Sequence, residues 1–90
     1  MPDQVLSEFQ VIPVKLFARA RDIAGQTRVN VSLPSGATVA DVRWELQAQF
    51  PALSTLGPQL LAAVNSSYAP ENLAIPVGAE VAFFPPVSGG

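Results

Sequence analysis

The sequence contains no cysteine and no histidine. Those two absences exclude thiol nucleophiles, disulfides, Cys/His metal sites and the side chain that most often serves as a general base near neutral pH. Charge is sparse as well. Only 13% of residues are charged, and the five Lys and Arg residues are spread singly without aromatic interleaving. With a net charge of -2, the chain lacks the basic footprint of a nucleic-acid binder. No apolar run is long enough to cross a membrane, and Met1-Pro2-Asp3-Gln4 lacks the basic segment and apolar run of a secretory signal. The expectation is a cytoplasmic protein with neither nucleic acid nor membrane as partner.

What is present is a short apolar chain. Its 90 residues suffice for one domain with a modest core and leave no room for a second. Hydrophobic residues make up 49%, a globular composition and a high apolar share for so small a domain. Part of that surface is expected to be covered by a partner.

Along the chain, Met1 to Gln10 reads as a loose leader, and the first regular element is expected near Val11. From Val14 to Arg19 the residues alternate, which puts Val14, Leu16 and Ala18 on one face and Lys15, Phe17 and Arg19 on the other. Arg21 to Gly25 reads as a short helical turn closed by glycine. Thr27 to Leu33 alternates again, with Val29, Val31 and Leu33 inward, so these two strands should pair as a hairpin. Pro34-Ser35-Gly36 is a turn.

Thr38 with Asp41 three residues on is close to a capping box, and Val39, Val42, Leu46 and Phe50 follow on one helical face until Pro51 stops the helix. Arg43, Glu45, Gln47 and Gln49 are expected in water. Trp44 lies off the stripe and is assigned to the edge of the core in preference to a partner contact. After an irregular connection with Gly57-Pro58 as its turn signal, Leu60 to Asn65 suits a central strand covered on both faces. A turn, Tyr68, a loop with a short strand near Leu73, and a last strand from Glu80 to Phe84 complete the order. The layout is α+β, with one helix across one sheet face. On the opposite face Phe17, Phe84 and Tyr68 would form an outward apolar group rimmed by Arg19 or Arg21, which suggests docking.

The ending departs from an ordinary domain: Phe83-Phe84-Pro85-Pro86-Val87-Ser88-Gly89-Gly90. The two prolines fix their own φ and hold the preceding residues extended, so the tail should leave the domain stiffly. Two glycines without Cβ atoms let the backbone enter a channel too narrow for side chains. The group delivered at the far end is the α-carboxylate of Gly90. Asp41 and Glu45, at helical spacing without a histidine, read as a solvated helix face, and Gly-rich phosphate motifs and metal sites are absent. That leaves the carboxylate as the reactive candidate. Its oxygen is a poor leaving group, so another protein must activate it, for instance by adenylation, before a sulfur or amine nucleophile can take the acyl group.

From about Val14 to Gly90 the chain resembles the MoaD-like family, the small sulfur-carrying subunits of molybdopterin synthase. The residues that carry the resemblance are Leu16-Phe17-Ala18-Arg19-Ala20-Arg21-Asp22-Ile23-Ala24-Gly25, Leu61-Ala62-Ala63-Val64-Asn65 and Glu80 through Gly90. The resemblance implies a ubiquitin-like β-grasp fold: a mixed sheet of four to five strands, one main helix across one face, and an extended Gly-Gly tail. The corresponding division is a flexible leader over 1–12, the β-grasp domain over 13–85 and a functional tail over 86–90.

The resemblance further implies that an E1-like adenylyltransferase uses ATP to adenylate Gly90 and that a sulfur donor system converts it to a thiocarboxylate, a C-terminal 1-thioglycine. Pro86, Val87, Ser88 and Gly89 would carry Gly90 into the active site of a large subunit. That subunit would hold the cyclic pyranopterin precursor and the catalytic side chains, in a heterotetramer of two small and two large chains. Phe17, Arg21, Tyr68 and Phe84 would form the docking face, and no cofactor or metal would be held by this chain. Val77-Gly78-Ala79 replaces the acidic turn common before the last strand, and the leader is longer than usual; neither touches the tail. Three rivals remain: a thiamine-type sulfur carrier, a ubiquitin-like modifier joined to target lysines, and a plain β-grasp interaction module.

Overall fold

The structure, a computed structural model, describes residues 9–56 and 59–86. Val87, Ser88, Gly89 and Gly90, most of the expected leader, and the Gly57-Pro58 signal lie outside the described residues. Strand β1 (Phe9–Leu16) leads into helix α1 (Ala18–Ala24), then strand β2 (Arg28–Pro34) and helix α2 (Val39–Gln49). A single-turn 3-10 helix (Pro51–Thr55) connects to strands β3 (Leu61–Val64), β4 (Ser67–Tyr68) and β5 (Val81–Phe84). The five strands form one mixed sheet in the order β2-β1-β5-β3-β4. Only the β1–β5 contact is parallel; β1–β2, β3–β5 and β3–β4 are antiparallel.

Alternation builds the covered face as expected. Ile12, Val14 and Leu16 of β1, Val29 and Val31 of β2, Ala62 and Val64 of β3, and Val81 and Phe83 of β5 are buried. Val39, Val42 and Leu46 of α2 close over them, with Leu53 of the 3-10 turn completing the core. The α2 start is the capping box that Thr38 and Asp41 announce: the Asp41 N–H donates to Thr38 Oγ1 at 3.3 Å and the Thr38 N–H donates to Asp41 Oδ2 at 2.9 Å. Gly25 closes α1 with a left-handed φ of 75°, which a residue without a Cβ adopts freely. The β3–β4 hairpin turns on Asn65 and Ser66, both at positive φ (50° and 71°), the backbone a two-residue hairpin loop demands.

Five local expectations change. Strand β1 starts at Phe9, so Phe9 and Gln10, read as leader, belong to the sheet together with Val11 and Ile12, which the 1–12 division also places in the leader, and Ile12 is buried against the core. The strand ends at Leu16, because the chain turns at Ala18 (φ 53°) into α1; Ala18 therefore faces solvent and Ala20 is the buried α1 residue. Strand β3 is covered on one face only, leaving Leu61 36% exposed. Near Leu73 there is an isolated bridge between Thr38 and Ala74 in place of a strand.

The fifth change concerns the α2 side chains, where Trp44 and Arg43 exchange their expected roles. Trp44 is 70% exposed, whereas the Arg43 side chain is only 14% exposed. Arg43 Nε and Nη2 donate to Glu71 Oε1 and Oε2 at 2.9 and 2.6 Å, a bidentate pair, with the guanidinium 5.2 Å from the Phe83 ring centroid. An arginine can sit over an aromatic ring while its fork meets a carboxylate, a pairing that the indole of Trp44 cannot make.

Candidate functional site

The sheet face opposite α2 is open. Register assembles it row by row: Tyr68 stands opposite Ala63, Ala63 opposite Ala82, Ala82 beside Lys15, and Lys15 opposite Arg28. The next row pairs Leu61 with Phe84. Phe17 follows the last β1 residue, and its N–H donates to the Phe83 carbonyl at 3.2 Å, which brings it level with the end of β5.

Three of the four residues expected to dock are therefore gathered around the end of β5. Phe17 is 47% exposed and Tyr68 76% exposed, while Phe84 is half-buried between them. The Tyr68 and Phe84 rings lie 5.7 Å apart at 59°, a tilted contact that shields part of Phe84. Arg21 reaches the same corner from α1: it lines a recess of about 270 Å³ with Lys15, Leu16, Phe17, Thr27 and Arg28. Arg21 Nη2 is 3.4 Å from Asp22 Oδ1 on the exposed helix surface. Arg19, the other expected rim residue, is exposed on α1.

Leu61 completes the apolar group, and the sequence pattern missed it because a wholly apolar run does not say which residue faces outward. A charged cluster on the same face was missed as well. Glu80 meets Lys15 at 3.5 Å and Arg28 at 3.4 Å, joining positions separated by 65 and 52 residues of chain. All three are well exposed, so these pairs add little to stability and chiefly set the local field. Across the sheet, Glu71 is the one described acid whose pKa is clearly displaced. The Arg43 hydrogen bonds hold its carboxyl below the ordinary range, against a smaller opposing effect of burial.

Strand β5 runs between β1 and β3, and Pro85 and Pro86 leave its end directly from Phe84. Pro85 is half-buried and Pro86 exposed, so the chain emerges from the middle of the sheet beside the aromatic group. Among the described residues no cluster of His, Cys, Asp and Glu could hold a metal ion, and no helix is long and apolar enough to cross a membrane. The chemistry this arrangement can support is positional: a rigid strand end, a stiff diproline exit and an open apolar surface around both.

Comparison with known proteins points the same way. A curated relative from Escherichia coli strain K12, named molybdopterin synthase sulfur carrier subunit, is 39% identical over 84 residues, covering 89% of this chain and 100% of the relative. A relative of the same name from Arabidopsis thaliana is 35% identical over 79 residues, covering 88% of this chain and 82% of the relative. The crystal structure of H. volcanii small archaeal modifier protein 1 superposes with a TM-score of 0.79 at 31% identity, covering 87% of this chain and 99% of that one. The model of the ThiS family matches residues 14–90, which takes in the end of β1, the other four strands, both helices and the whole ending. With its mixed five-stranded sheet and crossing helix, this chain belongs to the ThiS family and has the ubiquitin-like β-grasp fold.

Proposed function

We propose that this chain is the sulfur carrier subunit of a molybdopterin synthase. The observation that carries the reading is the course of β5: a strand held on both sides in the sheet ends in Phe84-Pro85-Pro86 beside the open aromatic group, so the segment leading to Gly90 starts from a fixed point. The two relatives named as sulfur carrier subunits, at 35% and 39% identity over most of the chain, support it.

In this reading the Gly90 carboxylate attacks the α-phosphorus of ATP on an E1-like adenylyltransferase, pyrophosphate leaves, and an acyl adenylate forms. A sulfur donor system replaces the adenylate oxygen with sulfur, releasing AMP and leaving a thiocarboxylate. The loaded chain docks on the large subunit through Phe17, Arg21, Tyr68 and Phe84, while Pro86, Val87, Ser88 and Gly89 carry the thiocarboxylate to the cyclic pyranopterin precursor. Sulfur attacks the precursor, and water cleaves the acyl–sulfur bond to restore the carboxylate. Two loaded copies complete one dithiolene, consistent with a cytoplasmic heterotetramer. The chain supplies the sulfur of a sulfurtransferase; acid-base groups come from the large subunit. An aromatic group at the centre of the face and charges at its rim match the usual anatomy of a protein interface.

The test is intact mass spectrometry after incubation with the cognate activating enzyme, ATP and a sulfur source. Replacement of one oxygen by sulfur at Gly90 is the expected result. A chain lacking Gly90, or extended beyond it, should fold normally and fail to transfer sulfur; cofactor synthesis by either variant would overturn the mechanism. The likeness to a small archaeal modifier protein favours a second reading, conjugation to lysines of other proteins. Lysine-linked conjugates of a tagged form on a denaturing gel would support that reading in place of the first.

A further inference from the structure

The chain has five basic side chains, and only Lys15 is a lysine; the others are Arg19, Arg21, Arg28 and Arg43. Guanidinium groups stay protonated and do not attack acyl carbons, and cysteine is absent. Lys15 is thus the one side chain able to form a stable amide with an activated acyl group. Its setting is specific. Lys15 lines the recess of about 270 Å³ together with Phe17, Arg21, Thr27 and Arg28. Its side chain is 40% exposed, with Nζ held 3.5 Å from Glu80 Oε1, and Arg28 Nη2 lies 3.4 Å from the other oxygen of the same carboxylate. One amine and two guanidiniums therefore converge on an open recess, four of the chain's five cations lie in β1, α1 and β2, and two of its seven acids accompany them.

We infer that this recess is an acyl-acceptor site, in which Lys15 takes the activated Gly90 of a second copy of the chain. The inference rests on the carrier reading above, because the acyl donor exists only if Gly90 is adenylated. An acyl adenylate suits the recess: its phosphate is anionic, and the guanidinium forks of Arg21 and Arg28 match phosphate oxygens. A glycine-glycine ending is narrow enough to approach beside Phe17. In the reaction, Nζ uses the lone pair freed by loss of a proton to water and attacks the Gly90 carbonyl carbon. The new C–N bond forms as the C–O bond to the phosphate breaks, and AMP leaves with that electron pair. The arginines stabilise the departing anion. A sulfur donor competes for the same acyl carbon, so the linkage accumulates when sulfur supply fails, and each link places a second chain next to Phe17.

The experiment incubates the full chain with its cognate activating enzyme, magnesium and ATP, without a sulfur source. Pyrophosphate release is followed in parallel with denaturing gels and mass-spectrometric mapping of the linked species. The expected product is an amide joining Gly90 of one copy to Lys15 of another. The Lys15→Arg variant keeps a positive charge facing Glu80 and should lose the linked species while pyrophosphate release continues. Arg28→Gln should lower the yield about two- to fivefold, the scale of one exposed charge interaction. Pyrophosphate release without a linkage, a linkage confined to the Met1 α-amine, or a linkage undiminished in Lys15→Arg would each overturn the site. Absence of pyrophosphate release would remove the carrier reading, and this inference with it.

Discussion

The two faces of the sheet are cut from the same strands, one residue out of phase, and they have opposite fates. Phe83 and Phe84 show the contrast in adjacent positions: Phe83 is fully buried under α2 with the Arg43 guanidinium against its ring, while Phe84 is only partly buried, on the open face in contact with Tyr68. The covered face holds the fold together, because its apolar area is removed from water within the chain. The open face leaves comparable groups, Leu61, Phe17 and Tyr68, in contact with solvent, where their burial becomes available to a partner.

Truncating each face separately tests that division most severely. Phe83→Ala is expected to destabilise the fold by about 3–5 kcal/mol, the range for deleting a fully buried aromatic, seen as a lower denaturant midpoint. A cost below about 1 kcal/mol would mean that the covered face is not the source of stability. Phe84→Ala should cost clearly less stability than Phe83→Ala and weaken binding to the large subunit or the activating enzyme by about 2 kcal/mol, as a desolvated aromatic anchor does. Unchanged affinity for both partners, measured by calorimetry, would take Phe84 out of the docking face.

The join between the faces offers a smaller effect. Ala18 holds a φ of 53° where β1 turns into α1, a backbone that costs an L-residue about 1 kcal/mol or more, so Ala18→Gly should raise stability by up to about 1 kcal/mol in thermal or denaturant melts. A destabilised Ala18→Gly chain would show that the turn is not strained. The smallest effect is a pH dependence on the covered side. The Arg43 hydrogen bonds depress the Glu71 pKa from its ordinary 4.5, so the unfolded chain takes up this proton first as the medium is acidified. The Glu71 contribution is complete above that ordinary value and is lost as pH falls through the lower folded value. Glu71→Gln should flatten this part of the stability profile below pH 4.5, and an unchanged profile would detach the Arg43 pair from stability. Solvent screening keeps the magnitude small, since the Glu71 side chain is 53% exposed.

Much of the fold was legible locally. Alternation in β2 and β5, the Thr38 and Asp41 capping box and Gly25 as the α1 stop all rest on interactions within a few residues, which a linear pattern records, whereas β4 at Ser67–Tyr68 reads as turn. The open aromatic group was legible too, because strand parity assigns Phe84 a face and the turn after Leu16 keeps Phe17 outward. Arg43 and Trp44 were misassigned for a physical reason: helical spacing identifies a flank, and only the loop carrying Glu71 decides which flanking side chain finds a partner. The same limit hid Leu61 and the Glu80 cluster.

Chemistry and class were thus written in the linear chain. The missing cysteine and histidine, the diproline followed by Gly89-Gly90, and the periodicities of two and near four depend on composition and short-range geometry. Which neighbours meet was settled by the sheet order. Placing β5 between β1 and β3 brings Phe17, Leu61, Tyr68 and Phe84 to one surface, and it sets Glu80 against Lys15 and Arg28. Those contacts join segments far apart in the chain, and they exist because burying the alternate residues under α2 fixes the register of β1, β2, β3 and β5 together.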